Sequence, residues 1–294
     1  MTAFFDAHNH LQDEWLAPHR ATVLADLKAA GVAGAVVNGT SEADWADVTA
    51  LAQATPTVIP SYGLHPWDVG NRSPDWQGRL SAALAAGDAV LAARPLDPAA
   101  GRLAKVGEIG LDRWILDRAK PDDPRLAGLR RAPLEEQREV FAWQLALAAS
   151  ANRAVSIHCL DAFGALLEVL QSTPRPARGF LLHAYGGSAD MVPRFAELGA
   201  YFSFNGAFLD ARHAAKQAVY RAIPADRLLV ETDAPAMPLP PAAERFMLPA
   251  GPGGVRLNHP ANLAAAYTGL ATLRGQDPAE LSAAVAANFH RLFG

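Results

Sequence analysis

The chain has little that would crosslink it, anchor it in a membrane or give it a basic surface. Among its 294 residues there is one cysteine, Cys159, which excludes an intramolecular disulfide and suits a reducing compartment. No apolar run approaches the roughly 20 residues that a membrane-spanning helix needs. The first residues lack a basic stretch followed by an apolar one, so no secretory leader is expected and a cytoplasmic location is the default. Excess positive charge is also missing: 26 Lys and Arg stand against 30 Asp and Glu, a formal charge of −4. Proteins that grip long nucleic acid by counterion release show a basic surface. Any nucleic acid bound by this chain is therefore expected to be held locally, at single strands or ends. Half of the residues are hydrophobic, enough for a large core. The length suits one domain over residues 1–294, with a monomer as the default.

Short runs of apolar, β-branched or aromatic residues recur along the chain, each followed by a helical pattern. The expected strands are Ala3–Ala7, Gly34–Asn38, Val58–Gly63, Leu103–Ile109, Ala154–Ile157, Gly179–Leu182, Tyr201–Phe204 and Leu228–Glu231. Amphipathic stretches such as Arg20–Ala30, Glu42–Ala54 and Leu134–Ala149 lie between them, with Ser41 and Ser188 placed as helix N-caps. Strand alternating with helix eight times predicts an α/β fold, a closed parallel (β/α)8 TIM barrel. The Pro/Gly-rich stretch Pro235–Gly254 is read as a loop after the last strand, before helices Pro260–Leu273 and Pro278–Leu292. A domain boundary there would leave about 40 residues, too few for an independent core.

Residues with metal-binding chemistry fall at the ends of these strands. His8 and His10 follow Ala3-Phe4-Phe5 at a spacing of two, which in a strand turns both rings to one face. Glu108 ends the fourth strand, His158 the fifth and His183 the sixth, while Asp233 follows the eighth. Each has an ordinary structural reading: a hydrogen-bonded core histidine, a buried carboxylate beside a base, or, for Asp233, a helix cap. Together they fall on the rim where barrel enzymes build their sites. Imidazole and carboxylate without thiolate suit Mg, Mn, Zn or Ni. Six such ligands suit two divalent metal ions, with Glu108 able to bridge because a carboxylate has two oxygens. A pair of divalent ions is a known clamp for displacement at phosphorus. His19, His213, His259 and His290 lie in helices or loops, and Cys159 is read as structural because it points away from His158.

The ordered set of motifs resembles the TatD family of metal-dependent hydrolases and DNases. It runs through Asp6-Ala7-His8-Asn9-His10-Leu11, Gly63-Leu64-His65-Pro66-Trp67 and Val106-Gly107-Glu108-Ile109-Gly110-Leu111-Asp112. It continues through Ile157-His158-Cys159, His183-Ala184-Tyr185-Gly186-Gly187-Ser188, Glu231-Thr232-Asp233-Ala234-Pro235 and Asn288-Phe289-His290-Arg291-Leu292-Phe293-Gly294. The resemblance implies a TIM barrel of the amidohydrolase type that hydrolyses phosphodiesters. It carries metal ligation onto His8, His10, Glu108, His158, His183 and Asp233. On this reading Asp233 also accepts the proton of the attacking water, and Glu231 orients a ligand from behind. His65 and Arg113 are candidates to contact the phosphate or the leaving oxygen.

Two segments depart from the family pattern. Arg113–Pro133 is an insertion after the fourth strand, with six basic residues against three acidic ones, a net of +3. At the mouth of a metal site it would suit a phosphate-bearing substrate, and a solvated loop is the alternative. The run His183-Ala184-Tyr185-Gly186-Gly187-Ser188 keeps the ligand but changes the pocket wall. The competing functions are an amidohydrolase-type lactone, ester or amide hydrolase on the same metals, and a metal-binding partner protein without turnover. A glutamate in the bridging position, where many such hydrolases use a carboxylated lysine, favours the nuclease.

Overall fold

The computed structural model describes residues 3–95 and 100–294. Eight parallel strands follow one another around a single sheet: β1 Phe4–Asn9, β2 Val32–Gly39, β3 Val58–Tyr62, β4 Lys105–Asp112, β5 Val155–Leu160, β6 Phe180–Leu182, β7 Ala200–Asn205 and β8 Leu228–Glu231. Each strand pairs in parallel with the next along the sequence. The sheet closes where Asp233 N–H donates to the His8 carbonyl (2.9 Å) and His10 N–H to the Ala234 carbonyl (2.8 Å). Helices cross back between the strands, among them Arg20–Ala29, Trp45–Ala54, Trp76–Ala92 and Leu134–Ser150. Leu263–Arg274 and Pro278–Phe293 finish the outer layer. This is the (β/α)8 barrel expected from the alternation.

The strands are covered on both faces, so they read as nearly continuous apolar runs. All eight residues of β4 and all six of β7 are buried. Three strands run two or three residues further than expected: β1 ends at Asn9, β4 at Asp112 and β5 at Leu160. Side-chain hydrophobicity stops at the functional residues, but the backbone ladder continues through them. His8, Glu108 and His158 are thus inside strands, the first two at irregularities in the ladder. Gly110 makes the approach of β4 to β5 possible: its φ is +148°, and a Cβ there would collide with the His158 carbonyl.

The second helix starts at Trp45, three residues later than expected, and Ser41 does not cap it. The Asp44 carboxylate instead accepts from the N–H groups of Thr40 (3.0 Å) and Ser41 (3.2 Å), folding that segment into a turn. Ser188 precedes the short turn Ala189–Met191 without a side-chain capping bond. The segment after β8 is a loop as expected, with short 3-10 turns at Pro241–Ala243 and Pro252–Gly254.

Candidate metal centre

Glu108 is the middle of the site. Its side chain is 4% exposed, and its two oxygens face different histidines. Oε2 lies 3.4 Å from His8 Nε2 and 3.3 Å from His10 Nε2. Oε1 lies 3.0 Å from His158 Nδ1 and 2.9 Å from His183 Nε2. Asp233 joins the first side, its Oδ1 3.3 Å from His10 Nε2 and 3.7 Å from His8 Nε2. It sits just beyond β8 at a φ of +53°, a left-handed conformation that few non-glycine residues adopt, fixed by its N–H bond to β1. All six residues singled out from sequence therefore meet in one cluster, together with His65.

Hydrogen bonds from behind decide what the rings present to the cluster. His10 Nδ1 lies 2.8 Å from the Asn38 carbonyl, which can only accept, so the neutral ring carries its proton on Nδ1 and turns the Nε2 lone pair inward. His158 Nε2 lies 3.1 Å from Asp112 Oδ2, an acceptor, which in the neutral ring leaves Nδ1 as the inward lone pair. A carboxylate behind an imidazole is the usual support of a metal-binding histidine. His8 Nδ1 is held by Ser156 Oγ at 2.7 Å, and His183 Nδ1 faces Glu231 Oε1 at 3.6 Å. Glu231 is fixed in turn by Ser203 and Asn205.

His65 is built the other way round. Its Nδ1 accepts from the backbone N–H of Trp67 (3.2 Å), so the neutral ring carries its proton on Nε2, 3.4 Å from Glu108 Oε1. Position alone would allow His65 to share an ion with Glu108 and His158. The tautomer makes it an N–H donor into the site instead of a lone pair.

The inward ring nitrogens crowd together. His8 Nε2 is 3.2 Å from His10 Nε2, and His183 Nε2 is 3.3 Å from His158 Nδ1. Such closeness is repulsive unless protons or cations lie between the nitrogens and the carboxylates. Burial works against charge on His10, but Asp233 and Glu108 outweigh it and push its pKa well above the ordinary value. Burial likewise opposes charge on His158, yet Asp112 and Glu108 raise it to about 9. His183 is raised by Glu108 and Glu231 against burial. His8 is lowered, by burial and then by His183. Burial alone would raise Glu108, but His183, His65 and His8 hold it well below the carboxylate range. Without a metal, the raised histidines hold protons that offset the charge of Glu108 and Asp233, and divalent cations fit the place those protons occupy.

Asp112 closes the Val106–Asp112 motif, and the sequence alone assigns it no role. Its Oδ2 accepts from Trp67 Nε1 (2.6 Å) as well as His158, and its Oδ1 from Ile115 N–H (3.0 Å). The signal was there: Glu108, Gly110 and Asp112 alternate along β4, so the two carboxylates share a face. The other buried supports, Ser156 and Asn38, leave no such trace.

Arg113 stands apart from the cluster. Its guanidinium pairs with Asp117 (2.8 Å) and its side chain is 56% exposed. Much of the insertion's charge is matched in the same way: Arg118 by Asp161 (3.3 Å), Arg125 by Asp123 (2.6 Å) and Arg130 by Glu136 (2.6 Å). Arg131 donates to the carbonyls of Ile115 and Ala119. Cys159 is free, and burial keeps its thiol protonated. No helix among the described residues is long and apolar enough to cross a membrane.

Comparison with known proteins agrees with this picture over the whole chain. The sequence profile of the TatD related DNases matches residues 5–294. The 3'-5' ssDNA/RNA exonuclease TatD of Citrobacter koseri is 30% identical over 291 residues, covering 99% of this chain and 98% of that protein. The exonuclease of the same name from Escherichia coli K12 is also 30% identical, with the same coverage. Among solved structures, a TatD homologue from Escherichia coli K12 superposes with a TM-score of 0.77 at 27% identity, over 99% of this chain and 97% of that one. A TatD family hydrolase from Entamoeba histolytica, at 15% identity, shares the fold with a TM-score of 0.78 over 99% of this chain and 98% of that one. Fold, motif order and sequence identity agree, and the chain belongs to the TatD-related DNase family.

Proposed function

We propose that this protein is a divalent-metal-dependent phosphodiesterase that trims single-stranded DNA or RNA from an end. The observation that carries it is the division of Glu108, with one oxygen on His8 and His10 and the other on His158 and His183. That is what a carboxylate bridging two cations requires. His8, His10 and Asp233 would hold one ion, His158 and His183 the other, and Glu108 both. Mg, Mn, Zn and Ni all suit this donor set. The relatives named above as 3'-5' ssDNA/RNA exonucleases support the substrate class and an exonucleolytic mode. The reading takes residues 1–294 as one monomeric hydrolase domain, and one cysteine is consistent with work in the cytoplasm.

When bound, two such ions stabilise charge on a phosphoryl group and make a water acidic near neutral pH. The protein's own residues supply the rest. Asp233 is the more accessible of the two inward carboxylates, 13% exposed against 4% for Glu108. His10 and His183 outweigh burial and keep it ionised, so it can accept the proton of the attacking water. His65 directs its Nε2 proton into the same space, where it can donate to a phosphate or leaving oxygen. Asp112 holds His158 in place, and Glu231 lies 3.6 Å behind His183. Arg113, paired with Asp117, would have to break that contact before it could reach a phosphate.

The test is digestion of end-labelled single-stranded oligonucleotides by metal-free protein resupplied with Mg, Mn or Zn, beside a panel of lactones and carboxylate esters. Stepwise shortening from one end, dependent on metal, is expected. Turnover of lactones or esters with intact oligonucleotides would overturn the reading in favour of the amidohydrolase alternative.

A further inference from the structure

The insertion after β4 brings two tryptophans together at the edge of the metal centre. Trp114 opens the short helix Trp114–Asp117, and Trp67 comes from the loop after β3. Their rings stack with centroids 6.2 Å apart and planes 21° from parallel. The Arg125 guanidinium lies over both, 4.8 Å from the Trp114 ring and 5.9 Å from that of Trp67. Asp123 steers Arg125, accepting from its Nε (3.0 Å) and its Nη2 (2.6 Å).

This stack is tied directly to the site. Trp67 packs edge-on against His65 (5.6 Å) and shares Asp112 Oδ2 with His158. Both indoles remain only partly buried, whereas the insertion's apolar residues Ile115 and Leu126 are buried. Packing the insertion does not require two partly exposed indoles capped by a cation. Stacking a flat ligand does. Because the insertion's arginines are largely paired with acids, its contribution at the rim is aromatic surface more than net charge.

We propose that Trp67 and Trp114 form a base-stacking shelf for the nucleotide beside the scissile phosphodiester. The base takes the place over Trp114 now held by the Arg125 guanidinium, and the cation turns toward the strand's phosphates. A nucleotide carries its base one sugar away from its phosphate, so a phosphodiester at Glu108 brings a neighbouring base to the surface just outside His65 and His158. Every base has a π face, so the shelf accepts any sequence but requires an unpaired strand. This inference rests on the nuclease reading above and names part of its substrate site.

The experiment compares kcat/KM for a single-stranded DNA oligonucleotide with that for the same oligonucleotide carrying an abasic unit on each side of the scissile bond in turn. In the wild type, one abasic position should lower kcat/KM by about 10- to 100-fold, the size of one base–aromatic stack. Trp114→Leu, which keeps apolar volume but removes the π face, should bring the intact-to-abasic ratio close to one, mainly through KM. Trp114→Phe should restore most of it. Equal cleavage of intact and abasic strands by the wild type overturns the shelf and leaves the nuclease standing. So does an undiminished ratio in Trp114→Leu. No cleavage of either strand by metal-loaded wild type overturns the nuclease reading and the shelf with it. The wild-type comparison decides even if Trp114→Leu fails to fold.

Discussion

Replacing Asp112 with asparagine tests how the site is held without touching any residue of the inward-facing cluster. Asp112 is fully buried and receives three N–H donors, from Trp67 and His158 on Oδ2 and from Ile115 on Oδ1. Asparagine has the same shape but only one acceptor oxygen. If that oxygen faces Trp67 and His158, the amide NH2 is pressed against the Ile115 N–H. If it faces Ile115, the NH2 confronts both ring donors. Either way a buried donor loses its partner, at about 1–3 kcal/mol of stability. The second arrangement also shifts the His158 proton to Nδ1, removing the lone pair aimed at Glu108. Supports of this kind typically cost 10- to 100-fold in metal affinity or activity, or about 1.4–2.8 kcal/mol. The assay is activation of metal-free protein by Mn2+ on an oligonucleotide substrate, with a thermal melt on the same sample. A 10- to 100-fold higher Mn2+ requirement is expected, with a lower Tm. If Asp112→Asn needs Mn2+ within about threefold of wild type, His158 is not oriented as a ligand in the manner described.

Other consequences are independent of that variant. His158 is held at about 9, against 6.5 when unfolded, so its ion pairing stabilises the metal-free protein fully below pH 6.5 and is lost as pH rises through 9. Metal requires the neutral ring, so the Tm gain on adding a divalent ion should grow from pH 6.5 to 9; a gain that shrinks over this range contradicts the assignment. His65→Gln should retain the wild-type metal content while losing about 10²- to 10⁴-fold in turnover, because His65 offers a proton and not a lone pair. Loss of an ion in its metal analysis would make His65 a ligand. Gly110→Ala should destabilise the fold by at least 4 kcal/mol on the usual scale of severe core variants, read by circular-dichroism melting, and an unchanged Tm would refute the close approach of β4 to β5.

The barrel was legible because parallel strands buried on both faces are apolar almost throughout, as in β7, and the helices between them alternate regularly. Strand ends were not. At His8, Glu108 and His158 the side chains turn polar while the ladder runs on, and a hydrophobic pattern reports side chains only. The cluster could be read because His-x-His and the isolated His, Glu and Asp stand out at the ends of apolar runs. What lies behind them was harder to see. Asn38 serves His10 through its backbone carbonyl, which no residue identity betrays, and Ser156 is one ordinary serine among many. The donor role of His65 depends on the Trp67 backbone N–H, again invisible in sequence. Charge in the Arg113–Pro133 insertion was visible as composition, but its pairing with Asp117, Asp123, Asp161 and Glu136 appears only in three dimensions. So does the meeting of Trp114 with Trp67.

The most direct measurement is the number of metal ions per chain, by elemental analysis and calorimetric titration of wild type and Glu108→Gln side by side. With Glu108 serving both halves of the cluster, wild type should bind two divalent ions per chain. Glu108→Gln should bind no more than one with comparable affinity and lose metal-dependent cleavage of single strands. One ion in the wild type, or two retained by Glu108→Gln with full activity, would contradict a centre bridged by Glu108.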